Sequence, residues 1–246
     1  MLDTLLIIGL VLGVTFSALP FWKTEMPETG SLPASGPEEI KRAFIVVVDA
    51  GHGGIDGGAE GSKTGIAEAG LNLSIAKLVQ EGLEAEGVIV LMTRTDENAL
   101  DKGKKADMAA RKAIMCEPGV DIVVSIHMNK FSDPSVKGPM AFYMQGNDEG
   151  QRLAEFVIAA LCEAAERPIR RANPADYFII RESPCPSILV ECGFLSNPGD
   201  EALLQDPQHQ RKLATGVVTG LMAYLNSLPD DTQNTAIPSP SITAPA

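Results

Sequence analysis

Only three histidines occur in this 246-residue chain, His52, His127 and His209, so imidazole-based chemistry has few ways to be built. His52 leaves an apolar run within Val48-Asp49-Ala50-Gly51-His52-Gly53-Gly54-Ile55-Asp56-Gly57-Gly58, where five glycines follow Ala50. Glycine lets a backbone approach a ligand closely and reach positive φ. A phosphate loop is the obvious competitor and fails on spacing. Neither GxGxxG nor GxxxxGK followed by Ser or Thr is present, and no lysine follows until Lys63. His127 directly follows Ser125-Ile126, and Glu191 ends the apolar run Ile188-Leu189-Val190. A carboxylate there is costly to bury unless it is paired or bound to a cation. Two histidines and carboxylates converging on one sheet edge match the His₂Glu ligand set of a catalytic zinc, with water in the fourth position. Glu68 is a further carboxylate of ligand type, just before a helix expected to open at Leu71. An acidic residue there is also favoured by the helix dipole alone. His209 lies in the polar stretch DPQHQRK and reads as a surface residue.

These residues need elements that bring them together. Phe44–Val48 is a continuous β-branched run, as a strand buried on both faces requires. Leu71, Ile75, Leu78, Val79 and Leu83 recur at helical spacing, and Gly87 ends that helix. Val88–Met92 is a second strand, Lys105–Met115 a polar helix, Asp121–Ile126 a third strand and Met140–Met144 a fourth. Leu153, Phe156, Val157, Ala160 and Leu161 mark another amphipathic helix. Tyr177–Ile180 and Ile188–Val190 read as the last strands, and Leu213, Val217, Leu221 and Leu225 line a C-terminal helix. Such alternation predicts a single α/β domain: a mostly parallel twisted sheet flanked by helices on both faces. Ligands in such sheets gather at the carboxyl ends of the strands, where His52, His127 and Glu191 fall.

Composition narrows the setting. Net charge is −12, from 20 basic and 32 acidic residues, and only 5% of residues are aromatic. Such a chain repels a phosphate backbone and offers little surface for base stacking, which argues against nucleic acid as a partner. Cys116, Cys162, Cys185 and Cys192 form neither a CxxC pair nor a disulfide framework. Cys185 and Cys192 flank a strand-like run that would hold them roughly 23 Å apart, so buried free thiols are expected, with a long-range pair as the alternative if the domain is exported. Thr4 to Trp22 gives 19 residues without a charge. The length suits an N-terminal membrane anchor or a signal segment over residues 1–22, and either implies an extracytoplasmic location. Residues 23–41, with Pro27, Gly30, Pro33, Gly36 and Pro37, read as a linker. The folded domain is expected over 42–228, and the proline-rich 229–246 as a disordered tail.

The ordered blocks DAGHGGIDGGAEG at 49–61, GIAEAGLNLSIA at 65–76, MTRTD at 92–96, SIHMN at 125–129 and VECGFLSNPGDEALL at 190–204 carry a resemblance. In them the chain resembles the zinc-dependent N-acetylmuramoyl-L-alanine amidases of the amidase-3 family. The resemblance implies His52, Glu68 and His127 as ligands of Zn²⁺ and Glu191 as the catalytic carboxylate. It puts Asn129, Arg94 and Arg111 where they would contact substrate or support the ligands, with a salt bridge as the plain alternative for each arginine. The substrate implied is bacterial peptidoglycan, cut at the amide between N-acetylmuramic acid and L-alanine. One departure bears on Glu68: Ala69-Gly70-Leu71 follows it where relatives more often carry charge, and Gly70 weakens a helix start. Glu60 is the competing carboxylate. The short connection from His127 to Met140 leaves no room for a helix plugging the site, so the resemblance implies an open centre. The N-terminal segment and compact domain are similar to the sporulation, CwlD-type branch, which acts in spore cortex. Membrane contact through residues 1–22 and an accessory protein are the further partners implied. The rival readings are a zinc peptidase or amidase acting on another wall bond, and an inactive wall-binding homologue.

Overall fold

A computed structural model describes residues 43–229. The segment 1–22, the linker 23–41 and the tail beyond Pro229 lie outside the described residues. Six strands, β1 (Ile45–Ala50), β2 (Ile89–Met92), β3 (Ile122–Asn129), β4 (Met140–Met144), β5 (Asn173–Ala175) and β6 (Ser187–Phe194), form one sheet in the order β2-β1-β3-β6-β4-β5. The central strands β2, β1, β3 and β6 are parallel, whereas β4 runs antiparallel to β6 and β5 parallel to β4. The architecture is therefore the expected one, a single mostly parallel sheet with helices on both faces.

The helices are α1 (Glu68–Ala85), α2 (Lys104–Met115), α3 (Asp148–Ala164), α4 (Phe178–Glu182), α5 (Pro198–Leu204) and α6 (Pro207–Leu225). Alternate residues of the buried strands face opposite sides, which splits the core in two. Val46, Val48, Val124, Ile126, Ile188 and Val190 pack against α1, α3 and α6, and Val47 and Val123 face Met115 of α2 and Ile179 of α4. Several helix starts carry the expected chemistry. The Asn147 side chain accepts from Gly150 N, Asn197 from Gly199 and Asp200 N, and Asp206 from Gln208 N, with Pro198 and Pro207 at the opening turn.

Three local expectations are corrected. Tyr177–Ile180 is not a strand: Phe178–Glu182 is the short helix α4, and the edge strand β5 lies earlier, at Asn173–Ala175. Ile179 and Ile180 are both buried, and an apolar run this short fits one helical turn as well as a strand, so periodicity could not separate the two. Helix α1 opens at Glu68, three positions before Leu71, so Glu68 is its first residue. Helix α5 was not anticipated, because seven residues are too few to show a period.

Candidate active site

The site begins with a constrained backbone. His52 has φ of 61°, the left-handed region that residues with a Cβ enter rarely, and Glu166 is the other non-glycine residue there among those described. Two buried guanidinium groups hold the loop. Arg94 donates to the carbonyls of Ala50 (2.8 Å), Gly51 (2.9 Å) and Ala69 (2.7 Å), and Arg111 to those of Ala50 (2.9 Å) and His52 (2.6 Å). Arg111 in turn pairs with Asp49 at 2.6 Å and Asp107 at 2.8 Å. Asp49 also accepts from Ser125 Oγ and Thr93 Oγ1. Burial alone would raise the Asp49 carboxyl, but Arg111, Ser125 and Thr93 outweigh it and hold the group below its ordinary range. Arg94 and Arg111 are thus turned inward, under the loop and away from solvent.

On this support, the loop leaving β1, helix α1 and strand β3 each contribute one ligand-type side chain. His127 Nδ1 lies 2.8 Å from Glu68 Oε1, and His52 Nε2 lies 3.3 Å from Glu68 Oε2. One donor atom from each of the three residues falls within 4.8 Å of the others. Glu68 is fixed by Ala59 N at 2.8 Å, Met128 N at 3.1 Å and Asn72 Nδ2 at 3.1 Å. Burial would raise its carboxyl, but His127, His52 and the Ala59 amide override that and hold it well below the carboxylate range. Asp56 meets the far nitrogen of His52 at 3.0 Å, the arrangement by which a carboxylate fixes the ring tautomer of a metal-binding histidine. The glycines leave room for these groups. A Cβ on Gly51 would lie 2.2 Å from the His127 ring, and one on Gly58 would lie 2.5 Å from Glu68 Oε2. Two imidazoles and one carboxylate, mutually close and oriented from behind, fit a divalent ion such as zinc.

Glu191 stands beside this cluster and outside it. It pairs in register with His127 across β3 and β6, and with Met140 across β6 and β4. Its Oε2 is buried with no hydrogen-bond partner among the described residues. Burial, reinforced by the Glu68 charge and opposed by the two histidines, pushes its carboxyl up to about 7. A cavity of about 570 Å³ opens onto His52 and His127, walled by Ile55, Met108, Tyr177 and Phe178. A site with three ligand-type side chains, a spare carboxyl and a substrate-sized opening is suited to hydrolysis.

The remaining sequence candidates fall elsewhere. Glu60 is exposed and does not join the cluster. His209 is half-buried on α6. Asn129 follows a register shift in β3, where its side chain accepts from Lys130 N and approaches Met140 Sδ, so it braces the exit of the strand. Residues not singled out from sequence include Asn72, which bridges Glu68 and the Gly51 carbonyl, and Glu201, which takes the amides of Lys63 and Thr64 and steadies the loop before α1. Asn72 lies four residues after Glu68 and Asp56 four after His52, and the helical interval in α1 was a usable signal for Asn72. All four cysteines are free.

Residues 46–223 match the profile of the N-acetylmuramoyl-L-alanine amidases. The chain is 30% identical over 209 residues to the germination-specific N-acetylmuramoyl-L-alanine amidase of Bacillus subtilis (strain 168), a match covering 81% of this chain and 84% of that one. The CwlD amidase from Clostridioides difficile, solved in complex with the GerS lipoprotein, superposes with a TM-score of 0.71 at 30% identity, covering 74% of this chain and 98% of that one. The catalytic domain of CwlV, an amidase from Bacillus (Paenibacillus) polymyxa var. colistinus, gives 0.68 at 29% identity over 74% of this chain and 98% of its own length.

Proposed function

The chain belongs to the N-acetylmuramoyl-L-alanine amidase family, and from that premise we propose that it is a zinc enzyme cutting peptidoglycan between N-acetylmuramic acid and L-alanine, with Glu191 as the acid–base group. The observation carrying this reading is the convergence of His52, Glu68 and His127 beside a buried carboxyl with an unpartnered oxygen, at the mouth of a cavity.

In this reading His52, Glu68 and His127 hold the ion. A zinc ion so held supplies Lewis acidity, polarising the scissile carbonyl and making a water more acidic. Glu191 accepts the proton of the attacking water and passes it to the nitrogen of the departing L-alanine. Burial, which raises its carboxyl in the absence of an ion, favours proton uptake, and its unpartnered Oε2 is open to receive a proton. Asp56 keeps the His52 ring in the orientation that presents Nε2 to the ligand cluster. Arg94 and Arg111 act on the loop carbonyls, not on substrate.

We further propose action in spore cortex, in line with the germination-specific relative, and an accessory protein, in line with the GerS complex of the CwlD neighbour. Residues 1–22 would tether the enzyme outside the cytoplasm, ahead of a linker at 23–41, a catalytic domain at 42–228 and a tail at 229–246. No helix among the described residues is long and apolar enough to cross a membrane. Fractionation of cells producing chains with and without residues 1–22 tests that part; equal membrane association of the two would overturn it. The test of the activity is mass spectrometry of peptidoglycan treated with the zinc-loaded protein. Release of stem peptides beginning at L-alanine is expected. Cleavage at another bond, or no cleavage, would overturn the reading.

A further inference from the structure

The cations of this acidic chain are unevenly placed. Residues 130–139 and 167–173 hold Lys130, Lys137, Arg167, Arg170 and Arg171 against a single acidic residue, Asp133. Topology brings both segments to the active edge of the sheet. Residues 130–139 leave the carboxyl end of β3 just past His127 and enter β4 at Met140, the register partner of Glu191. Residues 167–172 lead into β5, whose first residue pairs with Phe142 two positions further along β4. The two segments touch: Arg170 Nη2 donates to the Lys137 carbonyl at 2.6 Å.

Arg167 is engaged by Asp200, but among the described residues no ion pair holds Lys130, Lys137, Arg170 or Arg171. Lys130, Lys137 and Arg171 are exposed. Several nearby acidic groups are already engaged, and Asp133 accepts from Ser135 N within its own segment. Glu155 takes the Ala172 amide, Glu166 pairs with Lys212 and Asp176 with Arg181. The outcome is a free cationic rim on one side of the catalytic opening, on a chain whose net charge is −12.

We propose that this rim docks the carboxylates of peptidoglycan stem peptides neighbouring the bond being cut. The inference rests on the amidase reading, which supplies the substrate class, and goes beyond it in naming the surface. Peptidoglycan is a polymer dense in carboxylates, so a chain with this net charge is repelled by it in most orientations. A basic rim beside the centre makes the productive orientation the attractive one. The Debye length of about 8 Å at physiological salt confines the attraction to carboxylates adjacent to the rim.

The test uses the full-length, zinc-loaded chain. Lys130→Glu, Lys137→Glu and Arg171→Glu are combined, leaving Arg170 to hold the Lys137 carbonyl. The control makes the same change in net charge elsewhere, with Lys77→Glu, Lys112→Glu and Arg211→Glu, all exposed positions on α1, α2 and α6. Binding to insoluble peptidoglycan, to anionic lipid vesicles, and turnover of N-acetylmuramoyl-L-alanine N-methylamide, which has no stem carboxylate, are measured in parallel. At low salt the rim variant should bind peptidoglycan about tenfold more weakly than the control variant, and the gap should close in about 0.5 M salt. Its turnover of the small neutral substrate should match the control. Unchanged peptidoglycan binding, an equal loss in the control, or an equal loss on the neutral substrate would overturn the proposal. So would a rim-dependent preference for vesicles over peptidoglycan. If the wild type cleaves neither the N-methylamide nor the peptidoglycan it is incubated with, the amidase reading fails, and the binding measurement still decides the rim.

Discussion

His127 and Glu191 are register partners on adjacent parallel strands, so the two side chains leave the same face of the sheet about 4.8 Å apart at the backbone. One reaches into the ligand cluster with Glu68, and the other keeps an unpartnered buried oxygen beside it. Strand pairing alone thus spaces the proposed ligand and the proposed acid–base group, and only Glu68 and His52 must be brought in from α1 and the β1 exit.

Each chain should bind one zinc. His52→Ala and His127→Ala should each lose it, whereas Glu60→Gln and His209→Ala should keep full stoichiometry, because neither residue touches the cluster. Metal analysis of the purified variants decides this, and zinc retained in both alanine variants would remove the proposed centre.

Glu191 should make the metal-free protein sensitive to base. Its carboxyl titrates near 4.5 when unfolded and about 7 when folded, so the folded state binds the proton more tightly in between. Folding stability therefore falls as pH rises through that interval, by about 3 kcal/mol from this one group. Urea unfolding of chelated protein at pH 5 and pH 8 should show the loss, and Glu191→Gln should remove the share due to Glu191, leaving that of the His52 imidazole, which burial alone would lower but Glu68 and Asp56 raise. A wild type as stable at pH 8 as at pH 5 would contradict the burial argument.

Much of this arrangement was legible because buried strands have a plain signature. The β-branched runs before His52, His127 and Glu191 end in polar residues that a core would not hold, and the parallel topology puts those ends together. What was not legible depends on long-range geometry. Arg94 and Arg111 bear charges that look available to substrate, yet each is consumed by carbonyls at the β1 exit some 40 to 60 positions away in sequence. Gly70 suggested a weak helix start, but Glu68 is held by the amides of Ala59 and Met128, and those tertiary bonds outweigh local propensity.

Arg111→Met should be severely destabilising although it leaves every proposed ligand in place. It strips the buried Asp49 of its counter-charge, frees the carbonyl of His52 and leaves that of Ala50 to Arg94 alone. Breaking one side of such a pair typically costs about 3–5 kcal/mol. Because Asp49 is held below its ordinary range, its contribution is present above about pH 4 and is lost as pH falls through the folded value. Denaturant unfolding should therefore show a large loss at pH 7 that narrows in acid. A loss under 1 kcal/mol would mean that the loop does not depend on the pair.

The two carboxylates of the site should separate by function. Glu191→Gln keeps the shape of the side chain and leaves His52, Glu68 and His127 untouched, so zinc content should stay at the wild-type level. It cannot accept a proton, and acid–base groups contribute about 10²- to 10⁴-fold to rate, so amide hydrolysis should fall by that order. Glu68→Gln replaces an anionic ligand with a neutral amide and introduces an NH₂ group where Glu68 now accepts the amides of Ala59 and Met128. Zinc affinity should fall together with activity, and added zinc should restore part of the rate. No such restoration is expected for Glu191→Gln, since its deficit is in proton transfer. Measured side by side, zinc content and turnover therefore distinguish the roles. Zinc lost in Glu191→Gln and kept in Glu68→Gln would show that the roles are reversed, and wild-type turnover in Glu191→Gln would show that the proton passes through another group.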